Sequence, residues 1–363
     1  MAPVSLFEPL TLRGATFRNR IWVAPMCQYS IEKKNGVPQD WHLVHLGSMA
    51  AGGAGLVVAE ASAVSPEGRI SDEDVGIWND EQASAWSRIV EFIHSQGAQA
   101  GIQLAHAGRK ASVWPEWGHD RRGTMAADDG GWQSVSASTL PFPGYEPPAA
   151  LDAVGIAKVI ADFGSAARRA VNAGFNVVEI HAAHGYLLHQ FLSPLSNHRT
   201  DEFGGSLSNR ARLLLAVIGE VRSAIGEKVP LLVRFSATDY APEGWNEEQT
   251  AVVAGWASRA GADFFDISSG GNVAGVRIPL GPGYQVPFAQ FVKTEADVSV
   301  SAVGLITTPA QAEQIVASGQ ADAVMLAREM LRDPHFPLRA AHELGVTLDY
   351  WPPQYLRAKW PEA

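Results

Sequence analysis

The sequence predicts an α/β protein folded as a single-domain (β/α)8 TIM barrel, with a long excursion after its third strand. Three observations predict it. Short, nearly continuous apolar runs recur along the chain, as parallel strands covered on both faces require. Longer amphipathic, alanine-rich stretches alternate with them. The glycine fingerprint of an open dinucleotide-binding sheet is missing: GGAG at 52–55 precedes a strand instead of opening a helix.

The elements follow in order. IWVAPM (21–26) reads as the first strand, and DWHLVHLGSMAAGG behind it as a helix stopped by two glycines. GLVVAEA (55–61) is the second strand. Its helix begins at an Asn79 cap with an acidic first turn and stops at Gly97. QAGIQLAH (99–106) is the third. Residues 111–150 then run on, rich in Gly, Pro, Trp and Asp. A loop that long in a compact domain is usually functional, so a lid or small subdomain is expected there. LDAVGIAKVIADFGSAARRAVNAGF is a helix stopping at Gly174, and NVVEIHA (176–182) is the fourth strand. PLLVRFSA (230–237), DFFDISSG (263–270), VSVSAVGLI (298–306) and DAVMLARE (322–329) complete eight, with helix patterns between and after them. Thr308 followed by Pro309 fits an N-cap and first helical position.

Composition narrows the function. The net charge is −10, which argues against a nucleic-acid face. No run of 18 uncharged apolar residues could span a membrane. The N-terminus lacks a basic region followed by an apolar core, so no secretory signal is expected. A single cysteine, Cys27, excludes an internal disulfide, and a reducing cytoplasm is the expected compartment.

In such a barrel, functional side chains gather at the C-terminal ends of the strands. Those ends offer Pro25, Met26 and Cys27 with Tyr29 just beyond, then Glu60, Ala61 and Ser62, then Gln103 followed by HAGRK. They continue with His181, His184 and Tyr186, Arg234, Gly304, and Ala327 with Arg328. His181 and His184 admit three readings. As metal ligands they lack the i, i+2 spacing that aims two strand residues the same way, and no acidic pair completes a divalent site. As hydrogen-bond donors they suit an oxygen that gains negative charge, with a tyrosine at hand to protonate a carbanion-like centre. As structural residues, either could be satisfied by its neighbours. Arg234 closes an apolar run and needs a polar partner: Glu60 or Asp266, or a cofactor ring that gains charge on reduction. Gln103 serves backbone groups, or it gives a pyrimidine-like edge a paired donor and acceptor. The last two strand ends stand where many barrels bind phosphate, though neither stretch is a sharp motif.

Five stretches together closely resemble the old yellow enzyme family of FMN-dependent ene-reductases: APMCQYS, VVEASAVSPEGRI, IQLAHAGRKAS, EIHAAHGYLLHQFLSPLSNHRTDEFGGSLSNRARL and AVGLI. The resemblance covers nearly the whole chain. Cys27 with Tyr29 is similar to the thermophilic-like subclass. The resemblance implies a flavin lined by Pro25, Met26 and Cys27, with the thiol tuning its redox potential. Ala61 and Gln103 would meet the pyrimidine part of the ring and Arg234 its N1–C2 carbonyl region. Gly304, Leu305 and the backbone around Ala327 and Arg328 would hold the phosphate. His181 and His184 would bind the substrate carbonyl, Tyr186 would donate the proton, and Tyr29 would be a second hydroxyl. NADPH or NADH would supply the hydride, and activated alkenes would accept it. PQYLRAKW matches a segment (346–363) that reaches a neighbouring subunit. Arg357 would then act in trans within a homodimer or dimer of dimers.

The chain departs from the resemblance in places. Ala327 stands where many relatives carry glycine, and Leu305 where some carry a tryptophan, so a roomier pocket is expected on that side. Two rivals are a zinc-dependent barrel hydrolase and a flavin-binding redox sensor.

Overall fold

The computed structural model describes residues 4–118 and 120–360; positions 119 and 361–363 of the excursion and the C-terminal segment lie outside them. The expected barrel is present. Its strands are β1 (Ile21–Val23), β2 (Leu56–Ala63), β3 (Gln99–Ala105), β4 (Val177–Ala182), β5 (Leu231–Ser236), β6 (Phe264–Ser268), β7 (Val300–Ala302) and β8 (Ala323–Leu326). They pair in parallel and close, with Val324 of β8 opposite Ile21 of β1. Outside lie α1 (Asp40–Ala51), α2 (Asp80–Ser95), α3 (Ala153–Asn172), α4 (Leu187–Leu192), α5 (Leu207–Ile225), α6 (Glu247–Ala260), α7 (Val286–Ala296), α8 (Pro309–Ala317), α9 (Arg328–Arg332) and α10 (Phe336–Glu343). The expected caps form: Asn79 accepts the Gln82 N–H at 2.9 Å, and Thr308 that of Gln311 at 3.2 Å. No helix among the described residues is long and apolar enough to cross a membrane.

The strands look uniformly apolar, but their two-residue period sorts them. Val178, Ile180, Val233, Phe265 and Ile267 point outward into the core shared with the helices. Val177, Leu232 and Phe264 point inward and join Trp22, Leu56, Val58 and Met325 in a separate apolar cluster. A short hairpin, Leu10–Leu12 with Ala15–Phe17, closes this cluster from below: the Phe17 ring lies 4.7 Å from Trp22, itself 4.9 Å from Phe264. Two residues further up each strand, the inward positions turn polar. Arg234 lies between His181 on β4 and Asp266 on β6 in the strand register, with Glu179 two residues below His181 and Ser236 paired with Ser268 above. The barrel therefore has a dry floor and a polar mouth.

The strand readings overran most at three ends. β1 stops at Val23 rather than residue 26, because Pro25 has no N–H for a ladder and the chain turns through Tyr29 at φ +47°. β7 stops at Ala302 because Gly304 and Leu305 adopt φ +113° and +52°, outside any strand. β8 stops at Leu326, where α9 begins two residues on. The short α4, directly after Tyr186, is an element the sequence patterns did not suggest.

In 111–150 the chain holds itself with few regular bonds: a Val113–Thr124 bridge, and Val135–Ser136 paired with Ala149–Ala150. Trp132 anchors it to the body, its indole N–H donating to the Glu67 carbonyl at 2.9 Å. The C-terminal segment packs Val346, Leu348, Tyr350 and Trp351 against Leu338, Ala341 and Phe7. Arg357 lies in the turn Pro353–Ala358, exposed and away from this chain's own barrel mouth.

Candidate active site

β4 delivers the two histidines, and the turn behind it orients them. His181 is the last inward residue of the strand. The chain then leaves the ladder: His184 sits at φ +57°, Gly185 at φ +72°, and Tyr186 caps α4. A Cβ at Gly185 would collide with the carbonyl of Gly271, so glycine is required there for packing as well as for conformation. The turn folds the three rings together. His181 and His184 centroids are 5.1 Å apart and nearly perpendicular, and His181 and Tyr186 are 5.0 Å apart.

Several groups hold this turn. The His184 N–H donates to Ser236 Oγ at 2.9 Å, which in turn donates to the Gly270 carbonyl at 2.7 Å. Lys110 Nζ donates to the carbonyls of His184 (2.8 Å) and Gly271. The Gly185 N–H donates to His189 Nδ1 at 3.0 Å, and His189 Nε2 lies 3.1 Å from Asp239 Oδ1, both side chains fully buried. Burial, helped by the charge of Arg109, pulls the Lys110 ammonium down to about 7.

The protonation states follow from this packing. Burial first, and then the positive charge of Arg234, hold both histidines well below the usual imidazole range. They are neutral at working pH and cannot act as imidazolium acids. The Ala183 N–H donates to His181 Nδ1 at 3.3 Å, which places the ring proton on Nε2. That Nε2–H has no acceptor among the described residues. His184 Nε2 shares a 2.8 Å hydrogen bond with Ser268 Oγ. Burial pushes the Tyr186 and Tyr29 phenols up from their ordinary range, so both keep their protons. Neither hydroxyl has a partner among the described residues.

The other strand ends converge on the same mouth. Cys27 and Tyr29 pack with Tyr186 around Ile70, Ala107, Ala111 and Val113. Burial raises the Cys27 thiol well above its usual range, so it stands as a neutral thiol. Glu60 sits at a bulge in β2 and faces away from Arg234. Its Oε2 accepts the Gln28 N–H at 2.7 Å, and its Oε1 lies 3.3 Å from His42. It fixes the Pro25–Tyr29 turn. Arg234 takes the other expected carboxylate: its Nε lies 2.8 Å from Asp266 Oδ2. Gln103, beside Ala61 on the neighbouring strand, donates to Glu179 Oε1 at 2.7 Å. The excursion adds aromatics above: Trp132 and Tyr145 pack on this cluster, Trp117 lies 5.0 Å from Tyr29, and Lys110 Nζ stands 4.3 Å over Phe142. Arg357 joins none of this within its own chain.

Do these residues fit a flavin nucleotide? Arg234's two terminal nitrogens and Gln103 Oε1 have no partner among the described residues, yet they are not sealed in the core. Two free donor nitrogens and a free amide acceptor suit the edge of a polar ring. A cavity of about 160 Å³ opens at the ends of β6, β7 and β8, lined by Ser268, Gly304, Leu305, Thr307, Ala327 and Arg328. A Cβ at Gly304 would crowd Gln285 Nε2 to 2.7 Å, so the wall depends on glycine. A phosphate-sized space with a cation and main-chain groups on its rim fits the nucleotide's anionic end. Among the described residues no three His, Cys, Asp or Glu side chains gather as a metal site.

Glu179, Lys110, His189 and Asp239 were not singled out by sequence reasoning. Glu179 was detectable, standing two residues before His181 on the same face of β4. His189 and Asp239 meet only through the fold.

The chain is similar to known flavin-dependent proteins. Residues 5–346 match the profile of the NADH:flavin oxidoreductase / NADH oxidase family. The chain is 46% identical over 354 residues to a protein named NADPH dehydrogenase from Listeria innocua, covering 97% of this chain and 98% of that one. It is 44% identical over 353 residues to another of that name from Geobacillus thermodenitrificans, with the same coverage. Among solved structures, morphinone reductase superposes with a TM-score of 0.78 at 28% identity, covering 96% of this chain and 92% of that one.

Proposed function

The chain belongs to the NADH:flavin oxidoreductase / NADH oxidase family, and from that premise we propose that it is an FMN-dependent NADPH dehydrogenase reducing the carbon–carbon double bond of α,β-unsaturated carbonyl compounds, maleimides and nitroalkenes. One observation carries the reading: a partnerless His181 Nε2–H beside a partnerless Tyr186 hydroxyl, both fixed by the same turn.

FMN, when bound, supplies the hydride that NADPH or NADH has delivered, in two half-reactions that share one pocket. Arg234, Gln103 and Ala61 would hold its ring, with Pro25, Met26 and the neutral Cys27 thiol along the edge. Gly304, Leu305, Ala327 and Arg328 would line its phosphate. The chain's own groups do the rest. His181, with His184 beside it, donates to the substrate oxygen and stabilises the charge that develops there. That draws electron density from the β-carbon, where hydride arrives. The α-carbon needs a proton, and neutral histidines have none to spare. Tyr186 holds one. Tyr29 shapes the pocket beside it. The 111–150 excursion serves as a lid whose aromatics exclude water, and Arg357 completes the pocket of a neighbouring copy in a homodimer.

Purified protein is expected to be yellow, and to oxidise NADPH over many turnovers when cyclohexenone, a maleimide or a nitroalkene is added. A panel of these acceptors with NADPH and NADH ranks both substrates. Colourless, zinc-containing protein would overturn the reading. Bound FMN without multiple turnover would favour a redox sensor.

A further inference from the structure

Inside the barrel, Gln103 of β3 stands opposite Glu179 of β4, and Arg234 of β5 stands opposite Asp266 of β6, with both charges acting on Glu179. Asp266 has a cation against it, with Arg234 Nε 2.8 Å from Oδ2, and Ser301 Oγ donates to its Oδ1 at 3.0 Å. Glu179 is held differently. Gln103 donates to Oε1, while Oε2 is sealed from solvent and has no hydrogen-bond partner among the described residues. The floor of Val177, Leu232 and Phe264 lies beneath, and His181 above is neutral. The groups facing Glu179 are therefore Gln103 from β3, Arg234 from β5 and Asp266 from β6. Two carboxyl groups share one guanidinium in a dry interior. A second carboxylate there, with one oxygen bare, is costly.

We propose that Glu179 is a redox-linked proton site, protonated in the resting protein, whose hold on its proton tightens when negative charge arrives on the FMN ring beside Arg234. The proposal rests on the FMN reading above. Burial, and after it the charge of Asp266, push the Glu179 carboxyl up to about 8. Hydride carries both electrons to the ring with one hydrogen. Any proton gained by Glu179 comes from solvent, and only its O–H bond forms. Coupling is reciprocal: a protonated Glu179 favours the charged ring, and the charged ring favours a protonated Glu179.

The test is the midpoint potential of bound FMN against pH, in wild type and in Glu179→Gln. One extra proton per two electrons steepens the line by about 30 mV per pH unit. Wild type is expected to steepen above about pH 8, and E179Q to keep its slope there. Parallel lines overturn the proposal. A second readout needs no variant. The infrared spectrum of the oxidised wild type should carry a protonated-carboxyl carbonyl band that titrates near pH 8. Its absence at pH 6 overturns the proposal. Protein that takes up no FMN overturns both this and the function reading; FMN-loaded protein with parallel lines overturns only this one.

Discussion

Tyr186→Phe will slow the oxidation of reduced enzyme by an enone about 10²- to 10⁴-fold, the range for loss of a positioned general acid. The rate at which NADPH bleaches the flavin absorbance will change far less. The asymmetry follows from protonation. Both histidines are held neutral by burial and by Arg234, so neither can supply the proton at Cα. Desolvation pushes the half-buried Tyr186 phenol well above its ordinary range, so it keeps its proton at every working pH. Phenylalanine preserves the ring that packs 5.0 Å from His181, so the turn should survive. Stopped-flow measurement of the two half-reactions separates the effects. Equal losses in both would mean that Tyr186 shapes the pocket and donates nothing. Tyr29→Phe is the natural control, since its hydroxyl sits in the same cluster but is assigned no proton transfer.

Asp239→Ala will cost about 3–5 kcal/mol of stability, the usual penalty for stripping one member of a buried pair. Asp239 receives Ser193 Oγ at 2.6 Å and the Trp245 N–H at 3.1 Å, and faces His189 at 3.1 Å. Its alanine variant abandons all three inside the core. Wild-type stability should also fall in acid. The His189 and Ser193 contacts outweigh burial and hold the Asp239 carboxyl down to about 2, against an ordinary 3.8. A depressed carboxylate stabilises the fold above its unfolded value, and this contribution drains away as pH drops from about 4 toward 2. Urea titrations across pH 2–6 should show that slope in wild type and a weaker one in Asp239→Asn. Enone KM should rise too, because Gly185 rests on His189 between His184 and Tyr186.

The barrel was legible because parallel strands are apolar on both faces and helix stops are glycines. Of the residues expected at strand ends, the structure gathers Cys27, Tyr29, Tyr186, His181, His184, Gln103 and Arg234 toward one mouth. Less visible was what each of them is bonded to. Arg234 takes the ion-pair reading at its Nε, on Asp266, and leaves its terminal nitrogens without a partner among the described residues. Glu60 stood as a possible partner until the bulge in β2 turned it outward to residue 28. Period-two patterning assumes no bulge, so the sequence could not show that. The pairing of His189 with Asp239 spans 50 residues and two loops, beyond the reach of local pattern. Arg357 is exposed in the single chain, and the proposed role in trans would need a second copy.

The central claim is conjugate delivery of hydride with a separate proton from Tyr186. NADPH labelled with deuterium at its transferable position tests it most directly, with cyclohexenone in ordinary water. The account predicts cyclohexanone carrying deuterium at the β-carbon only, with solvent hydrogen at the α-carbon. Deuterium on the carbonyl carbon of an alcohol product, or an unlabelled ketone, would contradict it.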